Sequence, residues 1–336
     1  MRILFQGYST YTQNKSGGVQ VRMKQMAYHL RNVGVDVDFF DHNTTDISQY
    51  DVLHIFSLNA EHYNLVSYAH RKGVKIVLSS IVTLADGWKI DLFLSLVHHP
   101  VLTLYNMQQS ILNMCDAVIT ETPKERDFIR KHYRIVPSKL TVIPNGIEPQ
   151  ASVGREYISS IVGDKDYILC VGRFDQNKNQ LNVIKAMVDS DIDIVFIGGP
   201  VTDGDKYYQK CLAAAKDKRN IHFVGWVDNS SPLLKSAYSN AKVFLFPSYH
   251  ETFGLVLLEA AVAGANLVVS KSLPILDFPS LKDCTRINPN DLHDIRNKVI
   301  DAFGKDKDVN QKKRILNEFS WNEVVNQHVE LYKNLL

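Results

Sequence analysis

An excess of charge of either sign is missing from this chain of 336 residues: 38 Lys and Arg stand against 36 Asp and Glu, a formal net charge of +2. Such balance excludes a nucleic-acid binder held mainly by phosphate neutralisation, unless the charge is gathered on one face. With 45% hydrophobic residues it also excludes intrinsic disorder. Cysteine is scarce. Cys115, Cys170, Cys211 and Cys284 stand singly, with no CxxC pair and no finger spacing, so the chain reads as a reduced, cytoplasmic protein. No run of about 18 apolar residues is present, which excludes a spanning helix. The nearest approach, residues 90–105, is interrupted by Asp91, Ser95, His98, His99 and Pro100. It reads as a buried helix or helix-rich insertion, with association at a bilayer surface as the alternative. The opening MRILFQGYST has too short an apolar stretch for a signal peptide. A GxGxxG fingerprint is absent, which counts against an NAD or FAD enzyme. HExxH is absent too, and no zinc site is expected.

What is present is a rhythm. Short apolar runs alternate with helix-period segments over almost the whole length, the pattern of βαβ units and parallel sheets. Strands are predicted at residues 2–6, 35–40, 52–56, 74–79, 117–120 and 140–143, and again at 167–171, 192–197, 221–224, 243–246 and 266–270. Runs such as YILCV and, past its leading lysine, KVFLF are continuously apolar, as in sheets covered on both faces. Between the two series, residues 144–154 are rich in turn formers and carry no period. The expected fold is therefore α/β, with two doubly wound Rossmann-like domains, residues 1–148 and 149–319, facing across a cleft. Residues 320–336 form a closing amphipathic helix, with Ser320 as N-cap and Glu323 in the capping-box position, expected to pack back on the first domain.

Three places could carry chemistry. In residues 246–264, FPSYHETFGLVLLEAAVAG, a buried strand runs through a polar loop into a helix beginning near Phe253. That delivers the backbone amides of Thr252, Phe253 and Gly254 to a helix N-terminus, a ready anion site. Glu251 stands at its mouth and Glu259 about 80° further round the helix. In residues 171–178, VGRFDQNK, Arg173 and Lys178 follow a strand end, two cations that suit a diphosphate. Ser16, Gly17 and Gly18 precede the first helix of the other domain, a glycine loop that lets a phosphate approach. The DxD strings Asp36–Asp38 and Asp191–Asp193 sit at strand entrances, the wrong end for a ligand.

Taken together, GGV, YDVLHIFS, VIPNGIE, VGRFDQNKN, FIGGP, FVGWV and PSYHETFGLVLLEAAVAG resemble the retaining GT-B glycosyltransferases of family four, the glycosyl transferases group 1. The motifs run in family order, more specific in the second half than in the first. The resemblance implies a nucleotide-sugar donor on the C-terminal domain and an acceptor on the N-terminal one. It implies that Arg173 and Lys178 hold the diphosphate and that Glu251 faces the donor sugar, these three being the catalytic set. It further implies that Glu259 takes the ribose hydroxyls, that the amides of Phe253, Gly254 and Leu255 lie against sugar and phosphate, and that Trp226 and Val227 hold the base. Gly17 and Gly18 would stand beside the diphosphate. Stabilisation of the leaving diphosphate by cations and a helix N-terminus needs no metal, so neither metal nor other cofactor is expected. The transfer would retain anomeric configuration, with the donor phosphate helping to deprotonate the acceptor.

One departure stands out. Family members often carry a histidine in the loop after the fourth strand, where this chain reads LSSIVTLADGW, with Ser79, Ser80 and Thr83. A hydroxyl would replace the imidazole, or the sugar would be held differently, and Ser80, Thr83 and His54 are the acceptor-side candidates; the strand-end rule turns His54 toward the cleft, with a satisfied structural histidine as its alternative. The expected donor is UDP-hexose or UDP-N-acetylhexosamine ahead of GDP-mannose, and the expected acceptor a glycan or lipid-linked oligosaccharide in bacterial surface-polysaccharide synthesis. Two rivals share the architecture: a UDP-sugar 2-epimerase and a non-catalytic nucleotide-binding subunit. No nucleic-acid partner is expected, and oligomeric state is unread. Lys124, Arg126, Arg130, Lys131 and Arg134 gather on one helix, a face that suits water or the anionic inner surface of a membrane.

Overall fold

The computed structural model describes residues 1–7, 18–85, 87–95, 103–149 and 151–336. They divide into two compact units, Met1–Gly146 with Phe319–Leu336, and Ile147–Glu318. The first unit runs β1 (Arg2–Gln6), α1 (Gly18–Asn32), β2 (Asp36–Phe39), β3 (Val52–Phe56), α2 (Tyr63–Arg71), β4 (Lys75–Ser79), α3 (Gly87–Ser95), α4 (Leu104–Met114), β5 (Ala117–Thr120), α5 (Pro123–His132) and β6 (Leu140–Val142). The second runs α6 (Ser159–Val162), β7 (Tyr167–Val171), α7 (Gln180–Met187), β8 (Asp193–Ile197), α8 (Lys206–Ala214), β9 (Ile221–Gly225), α9 (Pro232–Asn240), β10 (Val243–Phe246), α10 (Leu255–Ala263), β11 (Asn266–Ser270), β12 (Thr285–Ile287), α11 (Leu292–Phe303) and α12 (Gln311–Phe319). The last helix, α13 (Trp321–Leu335), belongs to the first unit.

Among the described residues each unit holds a six-stranded parallel sheet, ordered β2-β1-β3-β4-β5-β6 in the first and β12-β11-β10-β7-β8-β9 in the second. β3 (VLHIF) and β8 (DIVFI) are buried along their whole length. Helices cover both faces of the first sheet. Leu4, Leu53 and Leu78 meet α2, α4 and α5 on one side, while Ile3, Phe5 and Val52 meet α1 and α13 on the other. A parallel strand buried on both faces cannot alternate, which is why these runs are apolar but for His54 and Asp193, each held by a partner inside the fold. Trp321 opens α13 over Gly146, where a side chain would collide with the indole. Tyr332 closes it with its hydroxyl 2.6 Å from His54 Nδ1.

Residues 90–95 and 104–105 are helical, as read, but the expectation of a buried helix is corrected: only Ile90 of α3 is buried, and Leu92 and Phe93 stand 47% and 37% exposed. Residues 96–102, with His98, His99 and Pro100, lie outside the described residues, as do Ser16 and Gly17.

Candidate active site

In the second sheet the strand order reverses between β7 and β10. The crevice outside the carboxyl ends of such neighbours is where an open α/β sheet takes a ligand. The two loops leaving that point are tied together by side chains seventy residues apart. Asn177 accepts the Tyr249 N–H on its carbonyl at 2.8 Å, donates its amide to the His250 carbonyl at 2.8 Å, and accepts the His250 N–H at 3.0 Å. Asn179, in the left-handed region at φ 59°, donates to the Pro247 and Pro289 carbonyls at 3.3 and 2.8 Å. Asn tolerates that backbone where most residues do not. Asp175 caps the intervening turn by accepting the Lys178 N–H at 2.9 Å.

The result is a placed ion pair. Lys178 Nζ lies 2.6 Å from Glu251 Oε1, with the two side chains 19% and 14% exposed. The ammonium also stands over the Phe246 ring, 5.3 Å from its centroid. Charges so nearly dry need each other or a ligand's charge, because either alone keeps most of its desolvation cost. Arg173 leaves β7 beside them, its Nε 2.7 Å from Asp175, and more than half exposed. Its charge remains accessible to an anion.

The helix N-terminus is displaced from its expected place. α10 begins at Leu255, not near Phe253, because Gly254 adopts φ 109° and is the N-cap. That backbone suits only glycine, and a Cβ would also sit 3.0 Å from Phe246 Cε1. No side chain caps the helix, so its first amides, Leu255 among them, lack an upstream carbonyl and attract an anion. Phe253 is buried edge-on against Phe278 and anchors the loop, and Thr252 is half-buried. Glu259 lies within α10. Burial pushes its carboxyl up, while the neighbouring Tyr238 hydroxyl pulls the other way.

Two strands further along the same carboxyl edge, Trp226 follows β9, 64% exposed. Its indole N–H donates to the Pro200 carbonyl at 3.2 Å, and Gly199 leaves room for the ring. Val227 beside it is half-buried. Gly198, at φ 131°, packs so close to the Gly172 carbonyl that any side chain would collide with it. The structure thus brings Arg173, Lys178, Glu251, Phe253, Gly254 and Leu255 to one strand-end corner. It sets Trp226 and Val227 along the edge from it. Asp175, Asn177 and Asn179, which tie the corner, were not singled out from sequence. Their only signal is a run of turn formers after a strand.

In the first unit Gly18 opens α1, and Thr83 is exposed in the loop after β4. Two acceptor-side expectations are corrected. His54 is fully buried, its Nε2 2.9 Å from the Ser79 hydroxyl and its Nδ1 against Tyr332. Burial holds its pKa well below the ordinary value, and it faces α13 rather than solvent. Ser80 is also fully buried, with its hydroxyl 2.8 Å from Glu125 Oε1. Both DxD strings are engaged within the fold. Asp36 and Asp38 meet Arg2 at 3.2 and 3.4 Å, and Asp193 meets His222 and Lys165 at 2.6 and 3.3 Å.

Known proteins share both halves of this chain. Glycosyl transferases group 1 matches residues 157–314, and Glycosyltransferase Family 4 matches residues 44–151. The chain belongs to this glycosyltransferase family. A similar curated protein is an uncharacterized 41.2 kDa protein in the cps region of Klebsiella pneumoniae, 30% identical over 217 residues. The match spans 60% of this chain and 56% of that protein, so the chain spans little more than half of that relative's length. Among solved structures, sucrose-phosphate synthase from Thermosynechococcus elongatus is 19% identical with a TM-score of 0.74, covering 99% of this chain and 98% of the other. Alr3699/HepE from Anabaena, solved in complex with UDP, is 14% identical with a TM-score of 0.71 and full coverage of both chains. These likenesses establish the fold of this glycosyltransferase-family chain, the two Rossmann-like domains of the GT-B class.

Proposed function

We propose that the protein is a retaining, metal-independent glycosyltransferase that moves a sugar from a nucleotide-diphosphate donor to a glycan or lipid-linked acceptor. The observation that carries this reading is the Lys178–Glu251 pair at the switch point, with Arg173 and the uncapped α10 N-terminus beside it. Breaking the anomeric C–O bond leaves negative charge on the diphosphate and positive charge on the sugar. Arg173, Lys178 and the α10 amides would meet the first, and Glu251 the second. Such an arrangement needs no divalent ion, and retention, with the donor phosphate assisting the acceptor hydroxyl, follows from family resemblance. The carboxyl of Glu259 and the edge at Trp226 and Val227 would take ribose and base, and Gly17 and Gly18 would stand near the diphosphate. A UDP-hexose or UDP-N-acetylhexosamine is favoured over GDP-mannose, in keeping with the UDP that HepE binds. A role in bacterial surface-polysaccharide synthesis is in keeping with the cps-region relative. Melting temperature with UDP, GDP, ADP and their sugars, with and without EDTA, tests the donor, since a ligand of the folded state raises it. A rise with UDP-sugars that survives EDTA is expected. Silence across the panel would count against a nucleotide-sugar site, nucleotide binding without turnover would favour the non-catalytic subunit, and conversion of a UDP-sugar without any acceptor would favour the 2-epimerase.

The acceptor being lipid-linked would bring the protein to a membrane face, and one surface suits that. Beside the exposed Trp88, Leu92 and Phe93 of α3 runs the basic α5, joined to α3 where His132 Nδ1 lies 3.0 Å from Asp91. Lys124, Arg130, Lys131 and, just beyond α5, Arg134 are exposed, and Arg126 is half-exposed. Apolar side chains beside cations fit anionic lipid. Among the described residues, no helix is long and apolar enough to cross a membrane. The protein should float with phosphatidylglycerol vesicles at low salt and be released at high salt. Failure to bind at low salt would end the idea.

A further inference from the structure

Ile81 adopts φ +47°. A β-branched residue in the left-handed region is a genuine outlier, and such strain lasts only where its surroundings over-determine it. Here the surroundings can be named. Glu125, on the first turn of α5, reaches under the loop that leaves β4. Its Oε1 accepts the Ser80 hydroxyl at 2.8 Å and the Val82 N–H at 2.9 Å, bracketing Ile81 on both sides. Its Oε2 accepts the Glu121 N–H at 2.6 Å. The strained loop is tied in turn to its neighbour after β3: the Leu58 N–H donates to the Ser80 carbonyl at 2.8 Å, beside Ser57 at φ +86°. Two adjacent strand-end loops with non-glycine residues at positive φ are thus joined, and the second of them rests on one buried carboxylate.

We propose that Glu125 is a positioning residue, holding residues 80–82 at the carboxyl edge of the first sheet in the strained conformation that sugar transfer uses. The inference rests on the transferase reading above. Helix capping alone does not account for the contacts. Thr122 already caps α5 by accepting the Glu125 N–H at 3.2 Å, and two of the three bonds to Glu125 come from the loop.

The charge on Glu125 is part of the clamp. As a carboxylate it accepts three hydrogen bonds. Protonated, it must donate one, and the Ser80 hydroxyl must then turn to its other partner, the Ile119 carbonyl at 3.1 Å. The charged groups around it are Glu121 and, paired with Glu121, Arg22 of α1. Burial and the Glu121 charge push the Glu125 carboxyl up to about 7. The loop is therefore held above neutrality and loosened below it.

The test combines Glu125→Gln and Ser80→Ala with amide exchange and kinetics. In E125Q, Val82 amide exchange should rise at least tenfold, and kcat should fall about tenfold with nucleotide Kd unchanged. In the unaltered protein Val82 exchange, corrected for its intrinsic pH dependence, should rise as pH falls through about 7, and in E125Q it should be flat. S80A removes one of the two loop bonds and should lie between, which keeps the test open should E125Q not fold. Equal Val82 exchange in the two folded proteins would overturn the proposal, and so would a released loop with unchanged kcat. Failure of the transferase reading looks different: the unaltered protein would then move no sugar from donor to acceptor, whatever Val82 does.

Discussion

The two units are built alike, six parallel strands with helices against them, yet the charged clusters beside their strand ends differ in access to water. In the first unit Arg22, Glu121, Glu125, His54 and His328 are all buried. Arg22 pairs with Glu121, Asn145 donates to Glu121 at 3.1 Å, and Glu125 clamps a loop. In the second unit the corner at β7 and β10 keeps Arg173, Lys178 and Glu251 in partial contact with water. A charge with all its partners inside the fold has been committed to shape. One that retains access to solvent can exchange its partner for a ligand at little added desolvation cost.

The sharpest way to break this comparison is acid. Among the described residues the buried histidines His54, His62 and His328 all lie in the first unit. His328 donates its Nδ1–H to the Val324 carbonyl at 2.7 Å, and burial pushes its pKa from 6.5 down to about 3. The folded ring stays neutral while the unfolded one takes a proton. Stability is therefore intact above pH 6.5, falls as pH drops below it, and stops falling near 3. For one histidine shifted this far the loss is about 4–5 kcal/mol over the window. Urea unfolding at pH 7, 5 and 4 should show that slope, and His328→Leu should flatten it. Hydrogen exchange should show the first unit, α13 included, loosening before the second. An equal slope in the variant, or acid loosening both units together, would remove the histidine from the account.

That contrast was only half legible in the sequence. Near-continuous apolar runs signal a doubly covered parallel strand, and residues 52–56, 117–120, 167–171, 243–246 and 266–270, polar only at His54, Thr120, Asn266 and Ser270, coincide with β3, β5, β7, β10 and β11. β12, Thr285–Ile287, has three residues of which one is buried, too few to display a period. The start of α10 slipped by two residues because Gly254 reads as a breaker only once its φ is known. At the candidate site the charges themselves were visible by type and spacing. Asn177 and Asn179 were not, because their bonds join loops that no local pattern connects. His54 was misplaced for a related reason. A strand-end rule counts positions, whereas its burial is decided by Tyr332, 278 residues away.

A smaller effect is expected at the second unit's corner, where it sharpens the contrast. Lys178→Ala and Glu251→Ala should each lower turnover at least tenfold, about 1.4 kcal/mol or more in the barrier, with the fold retained. The double variant decides what the pair is for. If Lys178 and Glu251 serve only one another, removing the second costs little once the first is gone, and stability changes of the two are strongly non-additive. If each meets a different part of a bound donor, stability stays non-additive, since the 2.6 Å contact exists without ligand. Turnover losses then multiply, because leaving group and sugar lose separate contacts in the transition state. Single-turnover rates for the four proteins, beside their urea midpoints, separate the two cases. Turnover unchanged in either folded single variant would make the corner a structural pair, and the second unit would then resemble the first.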